Sequence, residues 1–260
     1  MDLQQDIVAV AAWSKRNRLP LNVGKCAVLS FVRGRNTFDA GYSLQEEPLK
    51  AVSTMKDLGV LYSSDLRADL SFSEHVTYAI NKAKRKLGFV MRSTSDFTRP
   101  SSVISLFKSL VLPILSYAAQ IWLPSTQYEQ YDWKKVVHRA LRFAALKSGN
   151  PMPWTDHDYS SLYEQFNLLT ILKNDLCFVY KILNGSICPQ LSSLFPTRTV
   201  PYLIRRPRVL REFDYDTATY GYLSPMARLR KDWNKLTSSY DTNIPLSQFK
   251  ALVLDYVHGL

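Results

Sequence analysis

The chain has 260 residues, with 33 Lys and Arg against 22 Asp and Glu, a net charge of +11 at neutral pH. At 46% hydrophobic and 21% charged residues it has the balance of a globular protein with room for a real core, which excludes a disordered charged tail. The positive balance suits a polyanionic partner, because Lys and Arg displace the counterions of phosphates, although a generally basic surface with no specific partner gives the same count.

In chain order, residues 2–17 predict an amphipathic helix, with Leu3, Ile7, Val10, Ala11 and Trp13 near helical spacing. Asp2 and Asp6 lie early in it and Lys15, Arg16 and Arg18 late, as the helix dipole prefers, and Pro20 is expected to end it. Residues 26–32 read as a strand, 34–41 as a turn, 41–44 as a returning strand, 56–62 as a further strand and 65–69 as a loop. Ser71 and Glu74 have capping-box spacing, and Val76, Ile80, Ala83, Leu87 and Val90 then mark one helical face. Another helix is expected from Pro100, presenting Val103, Leu106, Phe107, Leu110, Val111, Ile114 and Leu115, with a kink or break at Pro113. Residues 131–146 and 159–183 predict two more helices, the second closed by Asn184-Gly185. An irregular stretch rich in Pro and Arg follows, and residues 225–236 and 245–257 read as short closing helices.

Three stretches carry a family likeness. Leu19-Pro20-Leu21-Asn22-Val23-Gly24-Lys25-Cys26 leads into an apolar run, Lys56-Asp57-Leu58-Gly59-Val60 follows, and Ser71-Phe72-Ser73-Glu74-His75 opens the next helix. This order resembles the end of the palm and the thumb of a non-LTR (LINE-type, jockey-like) retrotransposon reverse transcriptase. The run from Leu110 to Ala118, with Trp122 and Pro124 after it, extends the likeness, which covers roughly residues 2–147. The implied fold is α+β: a small β-hairpin or palm remnant over 1–70, a mainly helical thumb-like region over 71–147, and a helical C-terminal region over 148–260 containing an Arg/Pro-rich loop at 185–224.

The resemblance places Lys25 in the motif whose lysine helps protonate the leaving pyrophosphate. The chemistry is sound, since phosphoryl transfer builds negative charge on the leaving oxygen. Spacing alone favours a solvated lysine at a strand entrance for Lys25. Lys56 and Gly59 fall in the primer-grip motif, where glycine lets backbone approach a nucleic-acid strand; the plain reading is a hairpin glycine. Lys82, Lys84, Arg85, Lys86 and Arg92 would form the basic face of the first thumb helix, giving sequence-independent phosphate contacts. A solvated helix face gives the same pattern. His75 reads as a packing or capping residue. Arg205, Arg206 and Arg208 lie in the Arg-rich segment with Tyr202 near them, a mixture that suits single-stranded nucleic acid or a plain surface loop.

A two-metal polymerase needs carboxylates that hold two divalent ions within about 4 Å of each other. The family uses Mg²⁺ and an Asp-Asp pair, and no Asp-Asp dipeptide occurs in the sequence. Asp156-His157-Asp158 and Asp214-Tyr215-Asp216 read as solvated loop carboxylates, so no metal site and no cofactor are expected in this chain. The resemblance would place the catalytic pair upstream of residue 2, so the expectation is a truncated RNA-directed DNA polymerase. It would bind RNA and DNA as primer–template without extending a primer alone. The competing expectation is a non-catalytic structural or interaction protein, or an inert pseudogene product. Cys26, Cys177 and Cys188 are too widely spaced for a disulfide framework or zinc cluster, and the acidic N-terminus is unlike a signal peptide. An intracellular setting, nuclear or cytoplasmic, is therefore expected. The most apolar run, residues 110–115, is far short of the ~20 residues of a membrane helix.

Overall fold

The computed structural model describes residues 3–31, 41–64, 72–124, 126–149, 159–165, 170–197, 209–211 and 224–258. The fold is α+β and mainly helical, and it divides into two compact units, Met1–Ala68 and Asp69–Leu260.

The first unit opens with α1 (Leu3–Arg16). This helix ends before Pro20 is reached. Arg18 turns left-handed at φ 55°, Leu19 N–H donates to Ser14 O, and Arg18 N–H donates to Lys15 O. That is a Schellman closure with arginine where glycine is usual. The strand expected over 26–32 is shorter than its apolar pattern implies. A 3-10 turn, Val23–Lys25, precedes β1 (Ala27–Val28), which pairs in parallel with β4 (Lys50–Ala51). The ladder stops because β4 offers only two residues before Val52 N–H closes it on Val28 O. Between them β2 (Ser43–Leu44) and β3 (Glu47–Pro48) form a hairpin. The Gln4 side chain ties α1 to β2, donating to Ser43 O at 2.9 Å and accepting from Ser43 N–H at 3.0 Å.

The single strand expected over 56–62 is corrected to a hairpin, β5 (Thr54–Asp57) and β6 (Val60–Ser63). The chain folds at Leu58 and Gly59, whose φ angles are 45° and 89°. A two-residue turn with both central φ positive matches the twist of the strands it joins.

The second unit is built on α2 (Ser73–Ser93), α3 (Pro100–Leu110), α4 (Leu112–Ser116), α5 (Ala119–Trp122) and α6 (Gln127–Lys147). The apolar faces read from spacing are the buried ones: Val76, Ile80, Ala83, Leu87 and Val90 on α2, and Val103, Phe107, Val111 and Leu115 across α3 and α4. Ala79 and Ala83 on α2, with Ala140 and Ala144 on α6, are small and fully covered where these helices pack. The break falls at Val111, because Pro113 has no N–H to continue the ladder. Ala118, left-handed at φ 53°, redirects the chain into α5, and Trp122 Nε1 donates to Tyr117 O at 2.7 Å.

Ser71, the first residue of the capping box expected with Glu74, lies outside the described residues. The helix starts at Ser73 with Phe72 as its cap, a residue whose side chain makes no capping hydrogen bond. A capping box opens α6, where Thr126 Oγ accepts from Glu129 N–H and the Glu129 carboxylate accepts from Thr126 N–H.

The helix expected over 159–183 is described as α7 (Ser160–Gln165) and α8 (Thr170–Leu183). Gly185, at φ 63°, closes α8: Ser186 N–H reaches Lys181 O and Gly185 N–H reaches Ile182 O. With α9 (Pro225–Ser239) and α10 (Leu246–His258), α8 encloses a second core of Leu176, Val179, Leu229, Trp233, Leu236 and Phe249. Part of the irregular stretch is ordered against it. A 3-10 segment, Pro189–Leu194, is held by Arg230 on Leu194 O, and the Asn234 amide makes paired hydrogen bonds to Leu210 N–H and O. Arg205, Arg206 and Arg208, and the Asp156-His157-Asp158 and Asp214-Tyr215-Asp216 triplets, lie outside the described residues.

Candidate nucleic-acid interface

In the first unit, Lys25 ends the 3-10 turn with its side chain exposed. Its backbone N–H donates to Asn22 O at 3.0 Å, and the Cys26 thiol also bonds Asn22 O. Asn22 thus organises the backbone on which Lys25 stands. Lys56 and Gly59 are both exposed, on the outgoing strand and at the tip of the β5–β6 hairpin. Leu58 beside Gly59 is 82% exposed, an apolar side chain presented at the turn.

The second unit gathers a larger group. Tyr78, Lys82, Arg85, Phe89 and Arg92 follow one another on α2 at alternating spacings of four and three residues. At 3.6 residues per turn that spacing makes one stripe, and every member of it is exposed. Lys86 flanks the stripe, its Nζ 5.5 Å from the centroid of the Phe89 ring. The Arg92 guanidinium lies across Gly88, close enough that a Cβ there would stand 3.4 Å from Nη1. Of the five basic residues that the sequence marks on this helix, Lys82, Arg85, Lys86 and Arg92 therefore share the outer face. Lys84 turns toward α6, where its Nζ is 3.7 Å from Asp132. Asp132 also pairs with Lys135, whose Nζ sits 4.2 Å from the Tyr131 ring centroid.

Tyr78, Asn81, Lys84 and Arg85 line a shallow groove of about 470 Å³. Sequence reasoning missed Tyr78, Asn81 and Phe89. Their signal was legible there, because projecting α2 as a helix puts all three among the cations. His75, one turn before Tyr78 with its ring centroid 6.2 Å from that of the tyrosine, is 4% exposed and edge-on to Trp122 at 4.7 Å, which is a packing arrangement.

Two other clusters of ionisable side chains belong to the second unit. Arg228 of α9 pairs with the buried carboxylate of Asp175 on α8 and donates to Gln120 O at 3.3 Å, fastening both helices to α5. Burial pushes the Asp175 carboxyl up, with Arg228 pulling the other way, and burial likewise raises Asp232 nearby. On α6, the His138 ring stacks on Tyr159 at 3.9 Å, and Arg142 Nη1 donates to the Tyr159 hydroxyl at 2.7 Å. Burial, reinforced by Arg142 and Lys134, brings the His138 imidazole down to about 4. Burial also carries the Tyr163 hydroxyl up to about 12. These groups are engaged with one another inside the helical packing rather than presented as an open acid–base pair.

Among the described residues no three of His, Cys, Asp and Glu gather as a metal site, and no helix is long and apolar enough to cross a membrane. No family model, curated protein or solved structure matches the chain.

Proposed function

We propose that this chain binds nucleic acid without sequence preference, as a fragment akin to the last palm elements and thumb of a LINE-type reverse transcriptase, and does not polymerise alone. The stripe of exposed cations on α2 carries the reading. Four positive side chains on one helical face match the regular phosphates of a primer–template, and such contacts position a strand without reading its sequence. Lys25 keeps its role of assisting the leaving pyrophosphate only within an intact polymerase, where Mg²⁺ and the paired aspartates stand beside it.

The test is anisotropy titration of an RNA–DNA hybrid at about 50 and 200 mM salt. Affinity is expected to fall steeply between the two, and an affinity independent of salt would reject the reading. A primer-extension assay with Mg²⁺ or Mn²⁺ checks the second half: no extension is expected, and clear extension would refute it.

One observation favours the competing reading of a structural or interaction protein. On α1, Leu3, Val8, Val10 and Trp13 are each at least half exposed. An apolar helix so uncovered suits a protein partner. Sedimentation that depends on protein concentration, together with no binding to the hybrid, would decide for that reading.

A further inference from the structure

The α2 face is not simply basic. Tyr78 and Phe89 are 38% and 50% exposed, aligned with Arg85 between them. Duplex recognition through phosphates needs cations and gains nothing from exposed rings, because paired bases are stacked on one another. Unpaired bases offer their faces, and aromatic side chains stack on them regardless of sequence. The groove beside Tyr78 adds what such a site needs. It has a ring as a wall, the cations Lys84 and Arg85, and the Asn81 amide, which can donate to and accept from a base edge.

Resting on the proposed function, we infer that this face takes single-stranded nucleic acid, one unpaired nucleotide seated in the Tyr78 groove and a second base stacked on Phe89. The two rings are about 16 Å apart along the helix axis, far more than the ~3.4 Å between stacked neighbours. The strand between them is therefore extended, its phosphates passing Lys82 and Arg85. Lys86, poised over the Phe89 ring, covers the outer edge of the second base or its phosphate. The geometry favours the unpaired stretch beside a primer–template junction over the duplex itself.

The experiment compares two probes on the full chain: a single strand about 12 nucleotides long, within the usual range of such sites, carrying one 2-aminopurine, and a blunt RNA–DNA hybrid of the same sequence. Phe89→Ala and Tyr78→Ala are each expected to weaken the single strand about fivefold or more, with the hybrid changed by less than about twofold, and to lose the 2-aminopurine quenching. Phe89→Trp is expected to keep both affinity and quenching, which separates stacking from a folding defect. Equal losses on both probes, or an unchanged single strand, would overturn the inference, and salt-dependent hybrid binding by the unaltered chain would leave the proposed function standing. If the unaltered chain binds neither probe with salt dependence, the proposed function fails, and this inference with it.

Discussion

The two units of this chain are stabilised in different ways. In the first, the strands are two to four residues long, and Ser14, Leu44 and Val60 are the buried residues among those described. Its order comes from local devices: the Schellman closure at Arg18, the Gln4 clamp on Ser43 and two tight turns. The second unit buries whole side chains, with Phe107, Leu115, Trp122, Leu141 and Trp233 at 1% exposure or less. Apolar burial scales with area, so long amphipathic helices accumulate stability that short ladders cannot. Candidate residues follow the same division. Lys25, Lys56 and Gly59 stand on turns, whereas the cations of α2 stand on a helix seated in a core.

The largest effect is expected in that core. Trp233→Ala should cost about 3 to 5 kcal/mol in chemical denaturation, while Val60→Ala in the first unit should cost clearly less. Equal costs would erase the distinction between the units. Next comes the clasp of α8, α9 and α5. Arg228→Met leaves the Asp175 carboxylate buried without its partner and should cost about 3 kcal/mol, with Asp175→Asn partly restoring stability in the double variant. An additive double variant would show that the pair is not coupled.

The pH response sharpens the contrast further. The His138 imidazole resists protonation when folded and accepts a proton near 6.5 when unfolded, so its contribution is complete above 6.5 and is lost as pH falls toward about 4. His138→Gln should flatten the loss of melting temperature over that window. Asp175 and Asp232, raised by burial, act with the opposite sign: the folded state holds their protons longer, so stability falls as pH rises through their elevated range. Removing Asp175 should therefore steepen the acid sensitivity left by His138. The smallest effect belongs to the first unit. Leu58 occupies a left-handed position that asparagine tolerates better, and Leu58→Asn should stabilise the hairpin by about 1 kcal/mol. No gain by thermal melting would mean that the strain is relieved elsewhere.

The helices were legible because burial imposes a period on their sequence. Val76, Ile80, Ala83, Leu87 and Val90 repeat at helical spacing, and Pro100 and Pro113 mark a start and a break by chemistry that acts locally. The strands were less legible. Residues 26–32 are apolar enough for a long strand, but ladder length is set by the partner, and Lys50 and Ala51 lie too far along the chain to be read as a limit. Residues 56–62 look continuous until Leu58 and Gly59 both turn left-handed, a demand that glycine announces and leucine conceals. The Asp175–Arg228 clasp joins residues 53 positions apart and left no local trace. On α2 the cations were visible in the sequence, and Tyr78, Asn81 and Phe89 were legible there too, because the same helical projection places them among the cations.

The central claim is that the outer face of α2 carries the binding. The most direct test is the salt dependence of hybrid binding for the unaltered chain and for a variant with Lys82, Arg85, Lys86 and Arg92 all changed to Gln. Every cation withdrawn from a phosphate should reduce the slope of log K against log salt by about 0.9, so the variant is predicted to bind weakly and with a much shallower slope. A variant that keeps the affinity and slope of the original would place the nucleic-acid surface elsewhere and contradict the account.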